Sequence, residues 1–591
     1  MQSDGLSLTM EVSESPSQQK QTEQNQTEPV PEAQPVQQTS RMAPIASNER
    51  IEVLDVIRGF ALIGIFLMNI EFFNRSTNEM GEGIPHGLTG LNWLAAFGIQ
   101  YFVTGKFWTM FSVLFGMGFA VMLTRAQARG SDFIRPYIRR VAALAVFGIL
   151  HTVFLWPGDI LFSYAATASM LLLILFAPAR VYILGALLFG VLAFIPALYN
   201  FYSIAILFAL AGWIALYLRN DRGIVHGFYA FSAILSLLLA AVLAVFSEKK
   251  DVALIAFLIA VFGFVLSYAL KRFHRKPEQR PLAAGVIYYL SIFIIAVAAS
   301  AHQYVDLGPS NRAAALIKQN SQSNQRTAAS DAASAVSSAA PVHEDDDKKA
   351  LKNRAKERQE SAEDDADQSD DSDEELRLVQ HNSYLDLVKF RAYEFAQSND
   401  GRISMSFIVI AMFLIGFGVM RLGIMENMAS YLPQFKMLAW MGISLGWSIS
   451  LSSTYFAIEH IPGKNDEAFG LALSMQWLSY LPTCIGYLSL LVCLMHTRCA
   501  KYLRQLAPYG RMALTNYLGQ SLIASTVFYG YGLGWYGMER AKQVVFVFAV
   551  VLLQIAFSHW WLARFRYGPM EWVWRAITYW TLPENRITRT R

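Results

Sequence analysis

Charge is scarce in this chain of 591 residues: Asp, Glu, Lys and Arg make up only 16% of it, against 54% hydrophobic and 13% aromatic residues. A soluble enzyme covers its surface with roughly a quarter charged residues. The deficit, with a mean hydropathy of +0.31, excludes that class and points to segments solvated by lipid. Cysteine is nearly absent. Cys484, Cys493 and Cys499 fall in or beside one apolar stretch, and an odd set without ligand spacing reads as packing, with no disulfide framework and no metal site. The net charge of +4 gives no footprint for nucleic acid. Residues 1–48 lack the apolar core of a cleavable signal peptide. Their Gln, Ser, Glu and Pro predict a disordered cytoplasmic tail.

What is present is a succession of apolar windows about 20 residues long. They fall near 52–71, 92–124, 137–156, 160–177, 181–198, 202–218, 224–246, 252–270 and 281–301, then near 403–420, 435–453, 468–495, 510–530 and 541–563. The expected fold is an all-α polytopic membrane protein with about fourteen transmembrane helices. The 92–124 window is expected to break near Thr104-Gly105-Lys106. Basic loops set the orientation. Arg125, Arg129, Arg135, Arg139 and Arg140, then Lys271 to Arg280, then Arg498, Lys501 and Arg504, then Arg564 and Arg566 all fall on one side when crossings are counted. The positive-inside rule makes that side cytoplasmic, along with both termini; Lys249 and Lys250 are the exception.

The domain organisation then runs 1–48 tail, 49–201 first membrane half, 202–301 inserted membrane helices, 302–402 long acidic external loop, 403–580 C-terminal membrane half and 581–591 basic tail. The loop holds Asp345-Asp346-Asp347 and is expected to be disordered over most of its length. No EF-hand spacing occurs in it.

Hydrocarbon offers polar groups no solvent, so those inside spans are the candidate site. Arg511, Thr515, Asn516 and Gln520 share one face of a helix over 510–530 and line a cavity or each other. Asp55 and Arg58, three apart near the cytoplasmic end of the first span, are either a local ion pair or an anion site, with Arg58 holding a phosphate or carboxylate. Asn69 lies near the outer end of that span and Lys106 at the glycine break. His151 precedes a Trp156-Pro157-Gly158 turn and Asp159 follows it, so antiparallel neighbours bring the two together. A carboxylate would then fix the imidazole tautomer of a general base. The plainer alternative has Asp159 capping the next helix and His151 bonding a carbonyl. His86 sits in the loop after the first span, and Arg566 to Arg575 mixes Trp with charge as an interfacial helix does.

At these residues the chain resembles the YeiB family of bacterial inner-membrane proteins (domain of unknown function 418). The resemblance rests on Leu54-Asp55-Val56-Ile57-Arg58-Gly59, Gly105-Lys106-Phe107, Phe111 to Gly116, and His151 with Gly158-Asp159-Ile160-Leu161. Gly510-Arg511-Met512-Ala513-Leu514-Thr515-Asn516-Tyr517-Leu518 and Gly568-Pro569-Met570-Glu571-Trp572-Val573-Trp574-Arg575 complete it. It covers roughly 50–200 and 400–580, with 202–301 and the acidic loop as an insertion. The opening Leu-Asp-x-x-Arg-Gly pattern is more distantly similar to membrane acyltransferases that modify envelope sugars and lipids from an acyl-CoA or related donor. In one branch the residue eleven after the arginine is a histidine. Here it is Asn69, as in the branch whose catalytic histidine lies in the following loop, which would make His86 the equivalent.

The resemblance implies an acyltransferase of the bacterial inner membrane, multi-pass in the lipid bilayer, with an acyl-CoA donor and a cell-envelope glycan or lipid acceptor. His151, oriented by Asp159, or else His86, would be the base. Asp55, Arg58 and Lys106 would hold the donor, and Asn69, Asn516 and Arg511 the developing oxyanion. The alternative is a transporter of a small anionic or amphipathic solute with the same polar helices at its midplane. The two halves carry unlike motifs, which favours the enzyme.

Overall fold

The computed structural model describes residues 51–587 except 77–80, 82, 86, 196–200, 220–223, 247–249, 307–373, 381–382, 398 and 459–466. His86, the 1–48 tail and the acidic run of the long loop lie outside the described residues. Among those residues the secondary structure is helical, and the only bridge is an isolated one between Phe565 and Arg586. Among the described residues, seven helical segments are long and apolar enough to cross a membrane, and four shorter apolar helices accompany them. Large apolar side chains such as Leu187, Trp440, Leu552 and Leu553 stand exposed on helix faces. That surface suits lipid and would aggregate in water.

The elements follow in order. The first half comprises α1 (Glu52–Asn69), α2 (Gly90–Phe102), α3 (Lys106–Ala128), α4 (Ile134–Phe154), α5 (Leu161–Phe176), α6 (Ala179–Leu192), α7 (Phe201–Arg219), α8 (Ile224–Phe246), α9 (Lys250–His274) and α10 (Arg280–Asp306). The second comprises α11 (Tyr384–Gln397), α12 (Asn399–Arg421), α13 (Leu432–Ala457), α14 (Glu467–Met495), α15 (Ala500–Leu503), α16 (Leu506–Arg511), α17 (Ala513–Phe528), α18 (Arg540–Leu562) and α19 (Pro569–Tyr579).

The expected break near 104–106 is there. Gly105 sits at φ +82° between α2 and α3, a conformation glycine reaches without strain. Two features differ from the sequence reading. The polar helix expected over 510–530 is interrupted at Met512, so Arg511 ends the short α16 while Thr515, Asn516 and Gln520 belong to α17. The long loop is also not featureless up to residue 402. A helical stretch at 374–380 and α11 pack back on the bundle, with Val379 and Leu387 buried and the Gly530 N–H donating to the Val379 carbonyl at 2.8 Å. Their aromatic and aliphatic residues recur at helical spacing just past the acidic run, so the composition changes within the loop.

The first and last thirds meet where α1 crosses α16. A Cβ at Gly59 would lie 2.5 Å from the Leu506 carbonyl oxygen, and one at Gly510 would collide with the Asp55 carbonyl. Small residues let these two backbones touch. The contact sets Asp55 and Arg58 beside Arg511.

Candidate functional site

A cavity of about 710 Å³ opens between α1, α3, α4, α5, α16, α17 and α19. That volume is in the range that encloses a cofactor-sized ligand. Its lining divides by chemistry. Leu62, Ile65, Phe111, Leu114, Phe115, Ile160, Leu161, Tyr164 and Tyr517 form an apolar and aromatic part. Eight arginines (58, 125, 129, 140, 421, 511, 566 and 575) and four carboxylates (Asp55, Glu278, Glu426 and Glu571) supply its charge. A net excess of guanidinium groups over a low-dielectric wall attracts anions.

The basic part is built from short local contacts. Arg58 Nη1 donates to Asp55 Oδ1 at 2.7 Å along one face of α1. With the Arg58 side chain 30% exposed, the pair is a modest stabiliser and leaves guanidinium donors for a ligand. The interfacial helix α19 closes one wall. Trp574 Nε1 donates to the Arg140 carbonyl at 2.8 Å, and the Arg140 guanidinium lies 3.8 Å above the Trp574 ring. The half-buried Glu571 holds α19 to the start of α17. Its Oε1 accepts from the Leu514 and Thr515 N–H groups at 2.7 and 3.0 Å, and its Oε2 from Thr515 Oγ1 at 2.6 Å. A carboxylate on the first free N–H groups of a helix satisfies them and complements the helix dipole.

The inner part ends against a buried polar cluster. His151 Nδ1 lies 2.9 Å from Asp159 Oδ1, and neither side chain is exposed. The same Oδ1 accepts from Tyr517 Oη at 3.2 Å, and Oδ2 accepts from the Phe162 N–H at 3.2 Å. With Asp159 Oδ1 as the acceptor, the imidazole Nδ1 is the donor and carries the proton. His151 Nε2 then presents its lone pair, and it has no hydrogen-bond partner among the described residues. The Tyr517 ring lies 5.0 Å from the His151 ring and also lines the cavity. It is the contact between the two.

The structure therefore brings together Asp55, Arg58 and Arg511 at the cavity, and His151 with Asp159 behind it. It separates the others. Lys106 is fully buried between Ser450 Oγ, 3.3 Å away, and the Tyr480 ring, 4.9 Å away, and does not line the cavity. Asn69 is buried at the end of α1 and is likewise absent from the lining. Thr515 is bound to Glu571. The Asn516 amide donates to the Tyr509 carbonyl and Ser558 Oγ, both at 3.0 Å. Gln520 donates to Tyr509 Oη at 2.7 Å. These last two amides join α16, α17 and α18 and face no ligand space. Tyr517 and Glu571 stand inside the quoted motifs, but their roles depend on partners far away in sequence.

Residues 419–581 match the family described as "Protein of unknown function (DUF418)". The chain is 25% identical over 547 residues to "Uncharacterized protein YxaH" of Bacillus subtilis (strain 168), covering 91% of this chain and 97% of that one. It is 36% identical over 168 residues to "Uncharacterized protein YeiB" of Escherichia coli (strain K12), covering 28% of this chain and 43% of that one. It is also 37% identical over 131 residues to an "Uncharacterized 39.9 kDa protein in amylase 3'region" of Bacillus acidopullulyticus, covering 22% and 36%. No solved structure matches. The matched family stretch contains Arg511, Tyr517 and Glu571, whereas Asp55, Arg58, His151 and Asp159 precede it.

Proposed function

We propose, from the premise that this chain is a YeiB-type DUF418 protein, that it is an integral-membrane acyltransferase drawing on an acyl-CoA donor. One observation carries the reading. A single cavity runs from a cluster of arginines to Tyr517, and Tyr517 bonds the same Asp159 oxygen that holds His151. The donor's phosphates would pair with Arg58 and its neighbours, and the acyl chain would take the apolar part. By the basic-loop orientation the arginines face the cytoplasm, where acyl-CoA is available, and His151 lies toward the opposite side.

The chemistry follows from the groups present. An acceptor hydroxyl or amine attacks the thioester carbonyl as His151 Nε2 takes its proton. The new bond to carbon forms, the C–S bond breaks, and the proton passes on to the departing thiolate. Asp159 stabilises the imidazolium in between.

The test is thermal stability of the detergent-purified protein with acetyl-CoA, CoA, acyl donors lacking CoA, and simple anions. Stabilisation by acetyl-CoA that is lost in Arg58→Gln is the expected result, because only a ligand preferring the folded state raises its stability. Absence of any acyl-donor effect overturns the reading in favour of solute transport, which flux in proteoliposomes would then measure.

A further inference from the structure

We propose that the buried Arg391 is a second anion-binding point, on the far side of His151 from the arginine-lined cavity, and that it takes a phosphate or carboxylate group of the acceptor. The anion site stands on geometry alone, whereas its assignment to the acceptor rests on the acyl-transfer reading.

Arg391 projects from α11 and is 1% exposed. Its Nη1 donates to the Leu155 carbonyl at 3.1 Å, just past the end of α4, and its guanidinium lies 5.2 Å from the Tyr529 ring centre. Among the described residues Nε and Nη2 have no hydrogen-bond partner, and no carboxylate pairs with the group. Glu375, whose charge also bears on Tyr529, accepts from Ser76 Oγ at 2.9 Å. Closing a helix C-terminus needs one donor, and a half-exposed Lys or Arg supplies it. Complete burial of a guanidinium with no direct ion pair is unfavourable unless a ligand completes it.

The two unmatched nitrogens are the side-on edge of the guanidinium, which presents two parallel N–H bonds. That edge fits a planar carboxylate or two phosphate oxygens, and a single carbonyl does not fill it. Nor is Arg391 isolated. His151 Nε2 and Thr152 Oγ1, on the last turns of α4, are also buried without partners among the described residues. Leu155, whose carbonyl Arg391 holds, lies four residues after His151, so it is one turn further along the same face. Three unsatisfied polar groups at one helix end call for a polar guest.

The experiment is hydrogen exchange on the purified full-length protein, with inorganic phosphate in one arm and acetate in the other, read peptide by peptide. The expected result is slower exchange in 384–397 and 151–156 with at least one of the two anions, and the more effective arm names the acceptor's group. Protection confined to the cavity arginines at 125–140 and 566–575, or none, overturns the site. In Arg391→Gln the half-saturating anion concentration for the 384–397 response should rise about tenfold or more, while stabilisation by acetyl-CoA persists. An unchanged anion response in that variant also overturns the site. Should Arg391→Gln not fold, Arg391→Lys keeps the charge above Tyr529 without the two-pronged edge and should show the same weakening. If phosphate or acetate protects 384–397 but acetyl-CoA stabilises nothing, the acyl-transfer reading falls and the anion site stands.

Discussion

His151 Nδ1 and Asp159 Oδ1 meet at 2.9 Å across the Trp156-Pro157-Gly158 turn, with both side chains sealed from solvent. The turn forces the approach, since α4 and α5 are antiparallel neighbours and eight residues separate the pair. Sealing makes it costly to break: removing one partner of a buried pair destabilises by about 3–5 kcal/mol. Asp159→Asn keeps the shape, but its amide cannot accept from His151, Tyr517 and the Phe162 N–H together. The expected outcome is a folded, less stable protein whose acyl transfer falls by about 10²–10⁴-fold, as for loss of a general base. Wild-type turnover in Asp159→Asn would remove the pair from the chemistry. His151→Gln should fall as far, because the two act as one unit.

The crossing of α1 over α16 fixes the basic end of the cavity, and it tolerates no side chain at Gly510. A Cβ there would collide with the Asp55 carbonyl and also lie 2.6 Å from the Gly59 N–H nitrogen. Gly510→Ala must therefore push α1 away, at about 1–3 kcal/mol for a forced overpacking. The shift carries Arg58 away from Arg511, so binding of anionic donors should weaken together with stability. Thermal melts with and without acetyl-CoA check both. An unchanged melting temperature would mean that the two helices are not in contact.

Local spacing made part of this legible. Asp55 with Arg58 follows from three residues on a helix, His151 with Asp159 from a short turn, and the α2–α3 break from Gly105 ahead of a lysine. What failed to show was whether a polar residue faces a ligand or another helix. Asn516 and Gln520 look like cavity-facing amides on one helix, yet their partners Ser558, Tyr509 and Gln554 sit on α16 and α18. The same distance hides Glu571, whose contacts lie 56 and 57 residues away, and Arg391, which reaches α4 from beyond the acidic loop. Periodicity fixes a face and leaves the neighbour on that face unspecified.

Lys106 illustrates that difference with a sign. It is sequestered with one hydroxyl within hydrogen-bond distance and an aromatic face, and no carboxylate pairs with it among the described residues. A buried amine in that setting is compensated poorly, and an apolar side chain of similar length fills the space without the desolvation penalty. Lys106→Met should leave the melting temperature equal or higher and leave acetyl-CoA stabilisation intact. A marked loss of donor binding in this variant would restore Lys106 to the site.

Glu571 gives a pH dependence. It lies on α19, an eleven-residue interfacial helix too short to span, and burial raises its carboxyl above the ordinary carboxylate value, against the opposing effect of hydrogen bonds from Thr515 and Leu514. A raised value means that the folded protein holds this proton more tightly than the unfolded chain does. The resulting stabilisation is fully present below the ordinary carboxylate range and is lost as pH rises through the raised value. Glu571→Gln has no such proton, and its amide cannot accept all three donors that Glu571 accepts, so it should be less stable by about 1–3 kcal/mol. The two effects separate in a titration. The wild-type advantage over Glu571→Gln should shrink as pH is raised from the ordinary carboxylate range through the raised value and then level off. Melting curves of both proteins across that window decide it, because an advantage that grows with pH would mean that the hydrogen bonds to the carboxylate outweigh its burial.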